Sequence, residues 1–329
     1  MSTQSRSMVV AMVMVPLAIT LALWAFIWPN ARLEPRDLPI GIAAPADAAA
    51  GIEKQLSARE GAFDLHIYPD EQAARTAIEE REVYGAVVSG PEGPKLLTAS
   101  AASPTVAQLL ATTATASGAS AEEPMPVEDV VPSPAADPRG SALNSSILPL
   151  AIAGLALGAV VPLLGMRGTP AIGAVLAAAT LIGVTAGLIT DTWLDILTGN
   201  WWAQAGVFAL IVLAGGAVVA GLGALRGHSG IALGALLVVI FGNPFAGITS
   251  APELLPEPVG MIGQWLPPGA GGTLLRSVSF FDGHGATAAL ITLIIWAVVG
   301  LSLLWLDDFR RSRRDIREFE ALRPSAEAA

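Results

Sequence analysis

Six long apolar runs punctuate the sequence, and the charged residues gather in what lies between them. The first run, MVVAMVMVPLAITLALWAFIW, extends from Met8 to Trp28. At about 1.5 Å rise per residue it is long enough to cross a hydrocarbon core of about 30 Å. It contains no small-x-small cleavage site and ends on Trp24 and Trp28, a pattern that predicts a retained anchor and not a cleaved leader. The other runs cover 147–166, 171–190, 203–225, 229–248 and 286–306, and none carries an ionisable residue in its middle. The pattern predicts an α-helical polytopic membrane protein of about six spans, with its longest polar stretch between the first and second.

That stretch reads as an α/β domain over residues 30–118, after an N-terminal tail and anchor over 1–29. LPIGIAA (Leu38 to Ala44) suits a strand, and FDLHIY (Phe63 to Tyr68) alternates apolar and polar positions. Asp70 then offers an N-cap with Glu71 in the first turn, and Ala73, Ala74, Ala77 and Ile78 form a stripe at helical spacing. YGAVVSG and KLLTAS predict two more strands, and SPTVAQLLATTATA a second helix. Beyond Gly118 the chain turns rich in Ser, Ala, Pro and Glu without periodicity, so 119–146 reads as a linker. Residues 147–306 form the membrane domain, and 307–329 a basic tail.

Within the membrane domain, residues 243–285 break the pattern. The segment is too apolar for an ordinary loop and too interrupted by proline for a span. Two short re-entrant or interfacial helices, Pro252–Trp265 and Gly269–Phe281, account for both properties, since non-helical backbone survives at membrane depth only where protein or water shields it. The candidate functional residues fall here: Pro252, Pro256 and Pro267, which interrupt the helix; Arg276, the only basic residue between Arg226 and the tail; and Glu253 and Glu257, carboxylates able to pair with it. GxxxG pairs at Gly154/Gly158, Gly183/Gly187 and Gly230/Gly234 predict close helix packing through bare backbone.

Composition narrows the chemistry. Only 14% of residues are charged, against about 25% in a soluble domain. The net charge of -10 arises mostly between Asn30 and Ser146, which argues against nucleic-acid partners. Arg6, Arg167, Arg226 and the cluster Arg310, Arg311, Arg313, Arg314 and Arg317 fall on one side of an alternating six-span topology. The positive-inside rule makes that side the cytoplasm, so residues 30–146 face outward from a plasma membrane. With no cysteine, thiolate metal sites and Cys nucleophiles are excluded. His66, His228 and His284 lie in separate regions, so no metal and no cofactor is expected. The two lysines, Lys54 and Lys95, sit in no phosphate-binding loop, and no Gly-x-Ser-x-Gly elbow occurs, so the chain does not read as an enzyme.

The loop and the outer domain together resemble the membrane subunits of type-2 ABC exporters and the related phage-infection-protein (YhgE/Pip) membrane proteins. The residues that carry the resemblance are Ser250, Pro252, Leu255, Pro256, Pro267 and Arg276, with LPIGIA and DEQAARTAIEEREVYGAVVS in the outer domain. It implies one span, an external domain and five further spans, working as a homo- or heterodimer in the lipid bilayer with a separate cytoplasmic ATPase. The turn Met166–Pro170 is too short for the coupling helix of such permeases. Docking would fall to the RGHSG turn, the N-terminus or the tail. The phage-infection-protein side of the resemblance implies instead a surface protein whose outer domain binds a partner or ligand.

Overall fold

The computed structural model describes residues 3–90, 93–117 and 125–322. Residues 119–124 of the expected linker and 323–329 of the expected tail lie outside them. In chain order the elements are α1 (Thr3–Asn30), β1 (Leu38–Ala43), α2 (Ala46–Ser57), β2 (Phe63–Ile67), α3 (Glu71–Glu79), β3 (Gly85–Gly90), β4 (Gly93–Thr98), α4 (Pro104–Ser117) and β5 (Val127–Asp129). The helices α5 (Ser141–Leu163), α6 (Gly168–Gly187), α7 (Trp201–Arg226), α8 (His228–Ala235), α9 (Val259–Gln264), α10 (Pro267–Phe280) and α11 (Thr287–Leu322) follow. The chain divides into two compact units, 1–144 with 240–265, and 145–239 with 266–329.

The first unit carries a five-stranded mixed sheet in the order β2-β1-β3-β4-β5. Parallel neighbours need crossovers, and α2 and α3 supply them from β1 to β2 and from β2 to β3. β3 and β4 form an antiparallel hairpin. α3 begins where its sequence says it must, with the Asp70 carboxylate accepting the Ala73 amide at 2.8 Å, and it buries Ala74, Ala77 and Ile78. The core on one face gathers Leu38, Ile40 and Leu96 from the strands with Val106, Leu110 and Ala114 from α4.

Two boundaries differ from the sequence expectation. The stretch expected as linker contributes β5, which runs parallel to β4 with Thr98 opposite Asp129. α5 starts at Ser141, ahead of the apolar run, because the buried Asp137 carboxylate accepts the amides of Ser141, Ala142 and Leu143 at 2.8, 2.9 and 3.2 Å. Those amides have no intrahelical partner, so a carboxylate there fixes the start of the helix.

Among the described residues five helices are long and apolar enough to cross a membrane: Met12–Asn30, Ser141–Leu163, Gly168–Trp193, Trp201–Arg226 and Thr287–Arg313. The span expected over 229–248 is shorter than its apolar run. α8 continues as a wider π turn only to Phe241, about 20 Å of helix, and the chain then leaves helical geometry before Asn243-Pro244. An asparagine before proline, with Gly242 beside it, ends the helix there.

In the second unit α7 is the hub. Gly154 and Gly158 of α5 rest on the backbone of Val212 and Gly216, Gly183 of α6 on Ala205 and Ala209, and Gly230 and Gly234 of α8 on Leu222 and Val219. Gly271 of α10 and Gly300 of α11 meet Ile211 and Ala217. The GxxxG pairs of α5, α6 and α8 therefore serve one partner helix, and a Cβ at most of these positions would collide with it. Close backbone approach is what associates helices where no hydrophobic effect separates them from their solvent.

Candidate functional site

The six residues singled out in the sequence divide between the two units. Pro252 opens a short 3-10 turn, Glu253 follows it, Pro256 is buried and Glu257 is exposed, all in the first unit. Pro267 stands at the N-terminus of α10 and Arg276 lies buried within that helix, both in the second. Each proline sits where it costs no helical hydrogen bond, at the first position of an element or between elements. In place of one helix over Pro252–Trp265 the first unit has the 3-10 turn Pro252–Leu254 and the short α9, because Pro256 and Pro258 interrupt it, while α10 in the second unit covers the expected Gly269–Phe281 except its last residue.

The loop 240–265 builds its own platform. α9 lies across the carbonyls of Pro252 and Phe245, where any side chain at Gly260 or Gly263 would overlap them. Gly247, with φ at +65°, turns the chain against Ala251 and Pro252. Gln264 Nε2 closes the turn by donating to the Ala246 carbonyl at 2.9 Å. On one side Phe245, Leu255 and Val259 pack with Ala25 and Trp28 of α1. On the other, Ala251 and Leu254 join the core of the sheet domain.

Polar contacts fix that junction. The Glu34 amide donates to Leu254 O at 3.1 Å and the Arg36 amide to Glu253 O at 2.9 Å, while Arg36 Nη1 reaches Leu254 O at 3.0 Å. Ser103 Oγ donates to the Ser250 carbonyl, and Thr105 Oγ1 to Thr249 O at 3.0 Å. Tyr84 Oη donates to Glu253 Oε2 at 2.8 Å. Arg81 adds positive charge nearby. Burial pushes its guanidinium below its ordinary value, and Tyr84 and Glu253 pull the other way. Glu253 is thus held by the sheet domain.

Arg81 was not visible as a functional residue. Its φ of +63° places it just past α3, with its own amide on Ile78 O and the Glu82 amide on Ala77 O. That is the arrangement in which glycine normally ends a helix. An arginine there accepts backbone strain in exchange for placing its charge at Glu253.

A second polar site lies in the second unit. Thr198 Oγ1 donates to Ser279 O at 2.7 Å, and the fully buried Gln204 donates through Nε2 to the Thr198 carbonyl. Gln204 Oε1 and Ser279 Oγ are buried without a hydrogen-bond partner among the described residues. Such groups are costly unless a water or ligand reaches them. The signal was present in WWAQAGVF, one amide in an otherwise apolar span, but attention to ionisable residues alone passes over it.

The sheet domain also contains a cavity of about 270 Å³. Its walls are Ile40, Phe63, Val87 and Leu96 from the sheet side, with Ile52 and Leu56 of α2 and Leu110 and Ala114 of α4; Gln55, Arg59 and Thr113 also border it. Among the described residues no cluster of His, Asp and Glu could hold a metal ion.

No protein-family model, no curated protein and no solved structure matches this chain.

Proposed function

We propose that the chain is the membrane subunit of an exporter, resembling the type-2 ABC permeases and drawing its energy from a separate ATPase subunit. It works as a dimer in the plasma membrane, with both termini in the cytoplasm and residues 30–146 outside. The observation that carries this reading is the docking of loop 240–265 onto the sheet domain through Tyr84–Glu253, Arg36–Leu254 and Ser103–Ser250. A domain that only needed tethering would be served by α1 alone. Here the chain returns to that domain between two apolar helices, so movement on either side is passed to the other through covalent and hydrogen-bonded links.

Parity supports the topology. If α5, α6 and α7 each cross, the chain at Gly227 lies opposite the sheet domain. The loop that hydrogen-bonds to that domain begins only at Ile240, so His228–Phe241 has to bring the chain back despite its modest length. With α1 and α11 this gives six crossings, and the basic residues after α11 fall on the cytoplasmic side.

Purification of the full chain from native membranes in mild detergent tests the reading. A stoichiometric partner with ATP hydrolysis activity supports it. A chain that purifies alone and remains without ATPase activity in native membranes fits the second reading, a surface protein whose outer domain binds a ligand. The cavity of the sheet domain is the observation that favours that second reading.

A further inference from the structure

We infer that the cavity of the sheet domain is a binding site for a small organic carboxylate with an apolar body, its charge placed at Arg59. The inference holds under either reading of the membrane helices. The walls are aliphatic and aromatic: Ile40 and Leu96 from the sheet, Phe63, and Leu110 from α4. At about 270 Å³ the space exceeds the ~150 Å³ that takes up benzene in an apolar interior, and it stands near the lower end of ligand sites. A single ring with a short chain fills it.

The border supplies the polarity such a ligand needs. Arg59 lies two residues past the end of α2, its amide bonded to Leu56 O and its carbonyl to the Ala62 amide, so its backbone is fixed at the cavity. Arg59 is exposed at the rim, and its guanidinium forms no ion pair among the described residues. Gln55 lies one helical turn earlier and adds a neutral donor. Thr113 already gives its hydroxyl proton to Leu109 O at 2.8 Å, which leaves arginine and glutamine to face the ligand. An apolar chamber bordered by an uncommitted guanidinium selects an anion with a greasy body, and a planar carboxylate matches the arginine fork.

The absence of native cysteine provides the test. Thr113→Cys, close in size to the native residue, is introduced into the full chain in lipid nanodiscs and its reaction with a charged maleimide is followed. The probes are 4-phenylbutyrate and its neutral counterpart 4-phenylbutanol, and Thr76→Cys on the exposed face of α3 is the control. Phenylbutyrate is expected to slow labelling at Thr113→Cys and to leave Thr76→Cys unchanged. Arg59→Gln should raise the half-protecting concentration of the carboxylate about tenfold, the loss expected for a charge-assisted hydrogen bond, and leave that of the alcohol unchanged. Unchanged labelling at Thr113→Cys, or equal slowing at Thr76→Cys, overturns the site. Equal protection by acid and alcohol, indifferent to Arg59→Gln, overturns the assignment of an anion.

Discussion

Tyr84 and Glu253, 169 positions apart in the chain, are joined by a 2.8 Å hydrogen bond from the phenol to the carboxylate. One belongs to the approach to β3, the other to the 3-10 turn of the proline-rich loop. A hydrogen bond to a charged acceptor contributes about 1.5–3 kcal/mol, and partial exposure of both residues places this one toward the lower end. Tyr84→Phe and Glu253→Gln are each expected to loosen the loop, seen as faster proteolysis near Gly247 in the otherwise folded chain. A double mutant no worse than either single variant would show that they act through each other. Additive effects would remove the bond as the reason the loop docks.

Arg81 separates strain from charge. Arg81→Gly removes the attraction to Glu253 but relieves a left-handed backbone, whereas Arg81→Ala loses the charge and keeps the strain. The glycine variant should therefore be the more stable of the two, by about 1 kcal/mol. Thermal unfolding of both in the full chain measures the difference. If alanine proves equal to glycine, the φ of +63° carries no cost.

The short strand β5 depends on acid–base chemistry at the domain edge. Glu71 accepts from Lys95 at 2.7 Å and from Arg75 at 2.8 Å, and Glu128 of β5 pairs with the same two cations. Lys95 and then Arg75 hold the Glu71 carboxyl below its ordinary range, and Arg75 does the same for Glu128. A carboxylate with a lowered folded-state pKa stabilises above the unfolded value, about 4.3, and that stability disappears as pH falls through the folded value. These groups are largely solvated, so the gain is small. Hydrogen-exchange protection across 125–131, taken relative to the intrinsic rate at each pH, should fall below about pH 4.3, and Glu128→Gln should lower it already at neutral pH. Exchange independent of both would detach the network from β5.

Gly173 and Gly183, both on α6, are expected to behave oppositely. A methyl at Gly183 would come within 2.6 Å of Ala209 Cβ, whereas one at Gly173 meets nothing within 4 Å. Gly183→Ala should destabilise the full chain by about 1–3 kcal/mol, because α6 must move off α7. Gly173→Ala should gain up to about 1 kcal/mol in helix propensity. Similar unfolding temperatures for the two variants would contradict the packing around α7.

What the sequence reveals here is mostly local. Asp70 announces α3 because cap and helix are adjacent, and the apolar runs announce the long helices because period and length suffice. β5 is three residues whose strand character comes from β4 and from a charge network contributed by α3, so no window around Val127 contains the cause. The GxxxG pairs signal close approach, but that α7 receives all three is a tertiary fact. The length of α8 is misread because an apolar run continues through Phe241 into FGNPFAGI, where Gly242, Asn243 and Pro244 end the helix while hydrophobicity persists. At the loop, prolines and carboxylates stand out, whereas Tyr84 and Arg81, which engage Glu253, look like an ordinary strand entry and helix end.

Sidedness is the prediction on which the transport reading stands. Loop 240–265 is hydrogen-bonded to the sheet domain, so the transport reading requires that both be reached from the same side of a membrane. Single cysteines in the full chain, probed with an impermeant thiol reagent on intact cells, decide it. Thr76 and His284 are exposed and should label; Ser229 and Ser312, also exposed, should label only after the cells are opened. Gly168 is a poor probe, since its φ of +56° and the Asp308 carboxylate oppose any side chain there. Labelling of Ser312 from outside would break the positive-inside orientation. Labelling of Thr76 but not His284 would mean that His228–Phe241 fails to return the chain, and the loop could not then meet the domain to which Glu253 and Leu254 are bonded.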